Sequence, residues 1–122
     1  MNLYQDFILD HYKNPQNFGT LVAPDKKVIV NNPLCGDKIE MSIKLKKGKM
    51  NEIAFTGEGC AISLAAASML TNYAKGKPSS QLQKLDRSFI LKLLGIELSP
   101  NRLKCALLPL EGLHKLIMKR EA

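Results

Sequence analysis

The stretch Ile39-Glu40-Met41-Ser42-Ile43-Lys44-Leu45-Lys46-Lys47-Gly48-Lys49-Met50-Asn51-Glu52-Ile53-Ala54-Phe55 decides the fold class. In its first half Ile39, Met41, Ile43 and Leu45 alternate with Glu40, Ser42, Lys44 and Lys46. A period of two sends one set to each side of a strand, so this strand has one buried face. Lys47-Gly48-Lys49 turns the chain, and Met50 to Thr56 returns it with Ile53 and Phe55 inward. Upstream, Val28-Ile29-Val30 is a β-branched run that supplies one more strand. The expected core element is a small three-stranded antiparallel sheet.

Helices surround it. Beyond Gly57-Glu58-Gly59, the run from Ala61 to Leu70 is rich in helix formers and apolar nearly all round, which predicts a buried helix. Lys75-Gly76-Lys77-Pro78 stops it. Ser79 or Ser80 then caps a short helix through Leu85. Asp86 caps another that carries Phe89, Ile90, Leu93 and Leu94 and closes at Gly95. At the start of the chain Asn2 caps a first helix, with Gln5 three residues on. Tyr4, Ile8 and Tyr12 share a face of that helix, joined by Leu3 and Phe7, and Pro15 ends it. Residues 14–24 are a loop. The last helix runs to about Arg120. Pro109 lies within this segment, and a proline costs ~3 kcal/mol inside a helix but is tolerated in the first turn. The helix is therefore expected to begin near Cys105 or Ala106, after a loop at Leu98-Ser99-Pro100. With no repeat or linker, residues 1–122 are one α+β domain, the sheet packed against about five helices.

The balance of 45% hydrophobic and 24% charged residues is that of a soluble globular chain, not a disordered one. No apolar run approaches the roughly 18 residues that span a bilayer, and the start lacks the basic and apolar regions of a secretory signal. A cytoplasmic protein with no membrane partner is the expectation. The net charge of +7 suits an acidic partner. Nucleic acid is not expected, because the lysines are scattered and aromatic residues, at 6% with no Trp, offer few stacking platforms.

Three cysteines is an odd count for a disulfide framework, so their settings must decide. Cys35 lies in Asn32-Pro33-Leu34-Cys35-Gly36-Asp37, a tight turn where Gly36 can take positive φ and Asp37 adds an oxygen donor. Cys60 follows Gly57-Glu58-Gly59 at or just before a helix start. Cys105, on the proline argument, also sits at one, beside Lys104. The free amides and dipole of a helix start favour the thiolate, the form that binds metal. The intervals between positions 35, 60 and 105 match no zinc ribbon or finger, so spacing leaves buried structural thiols as an alternative. The flanking glycines and Asp37 tilt the reading toward a metal site. His11 and His114 read as surface or helix-face residues and not ligands. Met41, Met50, Met69 and Met118 read as core or gap-filling residues.

Over essentially its whole length the chain resembles the iron–sulfur scaffold family of IscU, SufU and the N-terminal domain of NifU. The resemblance is carried by Leu3-Tyr4 through Asp10-His11-Tyr12-Lys13-Asn14-Pro15, by Asn31-Asn32-Pro33-Leu34-Cys35-Gly36-Asp37, by Gly57-Glu58-Gly59-Cys60-Ala61-Ile62-Ser63 with Ala67-Ser68, and by Arg102-Leu103-Lys104-Cys105-Ala106. It implies a scaffold that accepts sulfur from a cysteine desulfurase, builds a transient [2Fe-2S] cluster from iron and passes it to apo acceptor proteins. Cys35, Cys60 and Cys105 would be the thiolate ligands and Asp37 the fourth. Three thiolates and one weaker oxygen should release a cluster more readily than four thiolates. The same set should accept zinc when no cluster is present. Lys104 stands where the IscU branch has a histidine, as in SufU-like members, although the chain lacks their extra segment between the second and third cysteines. The alternative is therefore a zinc-bound sulfurtransferase with Cys35 or Cys105 as persulfide acceptor. Leu98-Ser99-Pro100-Asn101-Arg102 departs from the Leu-Pro-Pro-Val-Lys element that IscU presents to its dedicated Hsp70 chaperone, and that partnership is not expected.

Overall fold

The computed structural model describes residues 3–33 and 36–118, the side chain of Tyr4 excepted. In chain order the elements are helix α1 (Leu3–Lys13), strands β1 (Lys26–Asn32), β2 (Asp37–Lys46) and β3 (Lys49–Glu58), then helices α2 (Ala61–Ala74), α3 (Ser79–Leu82), α4 (Arg87–Leu94) and α5 (Pro100–Met118). The strands form one antiparallel sheet in the order β1-β2-β3. The α+β expectation of three strands and five helices is met.

The alternation in β2 builds the core. Ile39, Met41 and Ile43 are fully buried, and register sets Met41 opposite Phe55 and Ile43 opposite Ile53 on β3. β1 brings Val28 opposite Met41 and Val30 opposite Ile39. Helix α5 covers β1 and β2, α2 covers β3, and α4 packs on α2 and α5. The approach of α5 is close: a Cβ on Gly112 would stand 2.9 Å from Met41 Sδ and 3.3 Å from Val30 Cγ2. A glycine inside a helix costs about 1 kcal/mol in propensity, and here it lets the helix settle on the sheet.

Asp86 caps α4 as expected, accepting from the Phe89 amide, and Gly95 ends that helix at φ +69. The short helix α3 starts one residue earlier than the serine caps imply, with Pro78 in the N-cap position and Ser79 already helical. It ends at Leu82, not Leu85. Asn2 and Arg120 lie outside the described residues.

Other expectations fail. The α1 stripe is largely turned outward: Leu3, Phe7 and Tyr12 are exposed, and Ile8 with His11 makes the buried contact. His11 Nδ1 lies 2.7 Å from Ser68 Oγ, which also accepts from the Gln16 amide at 2.7 Å. A polar bond to α2 therefore fixes the face of α1 that docks, so His11 is an interior residue. Met118 is likewise exposed, not core.

The start of α5 is a further correction. The helix begins at Pro100, not near Cys105, with the Leu103 amide bonded to the Ser99 carbonyl and the Arg102 amide 3.4 Å from Ser99 Oγ. Pro100 is the first-turn proline that needs no partner for its missing N–H. Pro109 lies inside the helix and is buried. It has no amide to give the carbonyl four residues back, which belongs to Cys105.

Burial holds the His11 imidazole below its ordinary value of 6.5, against a smaller upward pull from Asp10. The unfolded chain therefore takes up the proton first as pH falls. The His11 contribution is full above pH 6.5 and is lost as pH drops from there through the depressed folded value. Amide hydrogen exchange in α1 is expected to accelerate across that window in the parent chain. In His11→Gln it should stay flat, since glutamine does not titrate.

Candidate metal centre

One end of the sheet gathers the candidate donors. Asp37 opens β2 and Glu58 closes β3, so the start of one strand lies beside the end of its neighbour. The chain leaves β3 through Gly59 and enters α2 at Cys60, which occupies the N-cap position with extended backbone. Helix α5 crosses the same end and delivers Cys105 from its second turn. A carboxylate O of Asp37 and the sulfurs of Cys60 and Cys105 all lie within 4.8 Å of one another. Asp37 is 2% exposed and Cys105 5%, whereas Cys60 is open to solvent.

The carboxylate is held in place. Asp37 Oδ1 accepts the Cys60 amide at 3.1 Å, so it also caps the start of α2, where negative charge is favoured. Its other oxygen stands 3.7 Å from Cys60 Sγ. Tetrahedral zinc with bonds of about 2.3 Å to sulfur and 2.1 Å to oxygen has an S···O edge of about 3.6 Å. The donor set fits a borderline-soft metal with little movement at that edge. Cys35 lies outside the described residues. Just before Asp37, Gly36 takes φ +74 and its amide bonds to the Asn32 carbonyl at 2.8 Å, the positive φ that the sequence expects of this glycine.

Two residues of the second cysteine motif gain from the structure a role that the sequence does not assign them. A Cβ on Gly59 would lie 2.5 Å from Asp37 Oδ1 and 2.8 Å from Ser63 Oγ, so only glycine leaves room for the carboxylate. Ser63, fully buried, donates to the Cys60 carbonyl at 3.1 Å and lies 3.9 Å from Cys60 Sγ. The spacing from a helix N-cap to its third residue was the available signal for Ser63. For Gly59 the sequence gives only its place beside Cys60, because the carboxylate that excludes a side chain there belongs to a strand distant in sequence.

Cys60 and Cys105 face a cleft of about 630 Å³ walled by Gln5, Ile8 and Leu9 of α1 and by Ile96, Asn101 and Arg102. Lys104 does not line it. The exposed Lys104 borders a separate depression with Asn31, Asn32 and Pro33, beside the turn that leads to Cys35. His114 lines an apolar groove of about 880 Å³ together with Val28, Leu107, Leu110 and Met118, a place with no thiol. His11 is bonded to Ser68 and is not among the clustered donors. No helix among the described residues is long and apolar enough to cross a membrane.

Residues 3–121 match the NifU-like N-terminal domain. The zinc-dependent sulfurtransferase SufU of Bacillus subtilis is 39% identical, with 98% of this chain and 92% of that protein covered. The iron–sulfur cluster assembly scaffold protein IscU 1 of Archaeoglobus fulgidus is 34% identical over 95% of this chain and 75% of its own length. Among solved structures, a candidate iron–sulfur cluster assembly scaffold for the SUF system from Fervidobacterium islandicum superposes with a TM-score of 0.81. It is 25% identical, with 92% of this chain and 94% of that one covered.

Proposed function

We propose that this chain, which belongs to the NifU-like N-terminal domain family, is an iron–sulfur cluster assembly scaffold. The cluster is cargo, built from iron and from sulfur supplied by a cysteine desulfurase and then passed to apo acceptor proteins. The observation that carries the reading is the convergence of Asp37, Cys60 and Cys105 from three separate elements, with Cys60 and Cys105 lining an open cleft. Cys35 is the proposed fourth donor.

The chain's own residues divide the work. Cys105 and Asp37, both buried, hold one side of the cargo away from water, and the exposed Cys60 faces the direction from which a donor or acceptor arrives. One oxygen ligand among thiolates weakens the grip on soft iron, which suits release. Ser63 and the Asp37 cap fix the backbone of Cys60, so its sulfur is aimed before the cargo arrives. Anaerobic incubation with ferrous iron, cysteine and a desulfurase is expected to give the visible charge-transfer bands of a bound cluster. Cys60→Ser should lose them. No bands from the parent chain, or equal bands from the variant, would sink the scaffold reading.

The second reading is a zinc-bound sulfurtransferase, favoured by Lys104 in the third motif and by the similarity to the Bacillus protein of that description. Zinc would be held by Asp37, Cys60 and Cys105, keeping their sulfurs ionised. A thiolate of this chain would attack the outer sulfur of the donor's persulfide. The donor's S–S bond breaks and its electron pair leaves on the donor thiolate. Mass analysis after reaction with a sulfur-loaded desulfurase distinguishes the two readings: a persulfide on this chain with no dependence on iron supports the transferase.

A further inference from the structure

The end of the molecule remote from Cys60 breaks two local rules and gathers charge in a hollow. The β2–β3 turn holds Lys47 at φ +55, a left-handed conformation where Asn or Gly is the ordinary occupant. Beside it Lys46 and Lys49 are cross-strand partners, and like charges directly opposite destabilise a hairpin. Lys46, Lys47, Lys49 and Lys75 also line one depression of about 300 Å³ with Asn51 and Gly76. No acid is among these lining residues. Glu52 and Asp25, at the same end, are engaged elsewhere, with Lys44 at 3.7 Å and the Leu45 amide at 2.7 Å.

Folding needs none of this, since Asn at 47 and opposite charges at 46 and 49 would make a better hairpin. The carbonyl end of α2 attracts cations and accounts for Lys75, its C-cap residue. It does not account for the lysine pair or for the strained turn. Rules broken together at one place mark a functional surface.

We propose that this lysine-lined depression docks an acidic, Asp- and Glu-rich segment of a partner protein. The concavity gathers positive charge, and the lining holds no arginine to fork onto phosphates and no aromatic ring to stack a base. Carboxylates therefore suit it better than nucleic acid. Along α2, at 1.5 Å per residue, the patch lies about 22 Å from Cys60. A partner held there leaves the cleft open, so docking and cargo exchange proceed on the same molecule.

The test uses the full chain, an oligoglutamate peptide and an oligothymidylate of equal charge at low salt, read by amide chemical shifts and by titration. Oligoglutamate is expected to shift the amides of residues 46–49 and 75–77 and to spare those of Lys26, Lys104 and Lys115. Lys46→Glu should weaken binding about ten-fold, from one reversed charge against several carboxylates. The same change pairs Glu with Lys49 across the hairpin, so thermal stability should rise while affinity falls, which excludes unfolding as the cause. Shifts spread evenly over all basic residues, undiminished binding by Lys46→Glu, tighter binding of oligothymidylate, or no binding would each overturn the proposal.

Discussion

Asp37→Asn is expected to leave the chain folded and to lower its zinc affinity about a hundredfold, a loss at the upper end of that seen when a metal site is perturbed without being dismantled. The reasoning separates two jobs of one carboxylate. As a cap, Asp37 accepts the Cys60 amide through Oδ1, and the amide oxygen of asparagine can do the same. As a donor, it stands 3.7 Å from Cys60 Sγ within the cluster of potential ligands, and a neutral amide is a far weaker partner for a cation. Asp37→Ala should lose both. It leaves the Cys60 amide without its acceptor, at about 1–3 kcal/mol if that group stays dry. Competition with a chelating dye measures the affinity and a thermal melt measures the fold. An Asn variant that holds zinc like the parent would remove Asp37 from the ligand set.

Gly59→Ala is expected to produce a similar metal defect with no donor changed. Its backbone is not in the left-handed region, so the whole effect comes from the added methyl group. That carbon would lie 2.5 Å from Asp37 Oδ1 and 2.8 Å from both Asp37 Cγ and Ser63 Oγ. Something must move, and two of the three nearest atoms belong to the Asp37 carboxylate. Overpacking of this kind costs about 1–3 kcal/mol. Gly57→Ala is the informative comparison, because its Cβ would meet the Lys38 carbonyl at 2.6 Å and Ile39 Cδ1 at 2.9 Å, not Asp37. It should lower the melting temperature and leave zinc affinity nearer the parent value. Equal affinity losses in both variants would mean that general loosening, not the displaced carboxylate, is responsible.

The hairpin and α2 were legible because their signals are local: a period of two, a glycine turn, and an apolar run ended by Gly and Pro. The capping of α4 by Asp86 is equally local. The face on which α1 docks is not legible, since the stripe of Tyr4, Ile8 and Tyr12 with Leu3 and Phe7 does not reveal that Ile8 turns inward with His11 while Leu3, Phe7 and Tyr12 stay exposed. Pro109 read alone points to a helix start at Cys105, whereas Pro100 takes the first-turn role and Pro109 lies buried inside the helix. The candidate donors are legible only through motif and resemblance. Their convergence depends on contacts between β2, α2 and α5 that no single window of sequence contains, and the same holds for the room that Gly59 leaves.

The outer edge of β3 is closed in two places. Near its middle, the Gly19 amide bonds to the Phe55 carbonyl and the Phe55 amide to the Asn17 carbonyl, with the Phe18 and Phe55 rings edge to face. Toward its start, Met50 exchanges bonds with Lys77 and Gly76. An incoming strand from a misfolded or neighbouring chain finds those positions taken, so sheet growth through β3 is blocked. Among the described strands this leaves β1 as the side on which aggregation could propagate. There the exposed Ile29 is flanked by Lys27 and Asn31, and Lys26 adds a second cation. Charge guards one border of the sheet and hydrogen bonds the other, so the protein's solubility should be more sensitive to salt and to lysine acylation at 26 and 27 than its fold is.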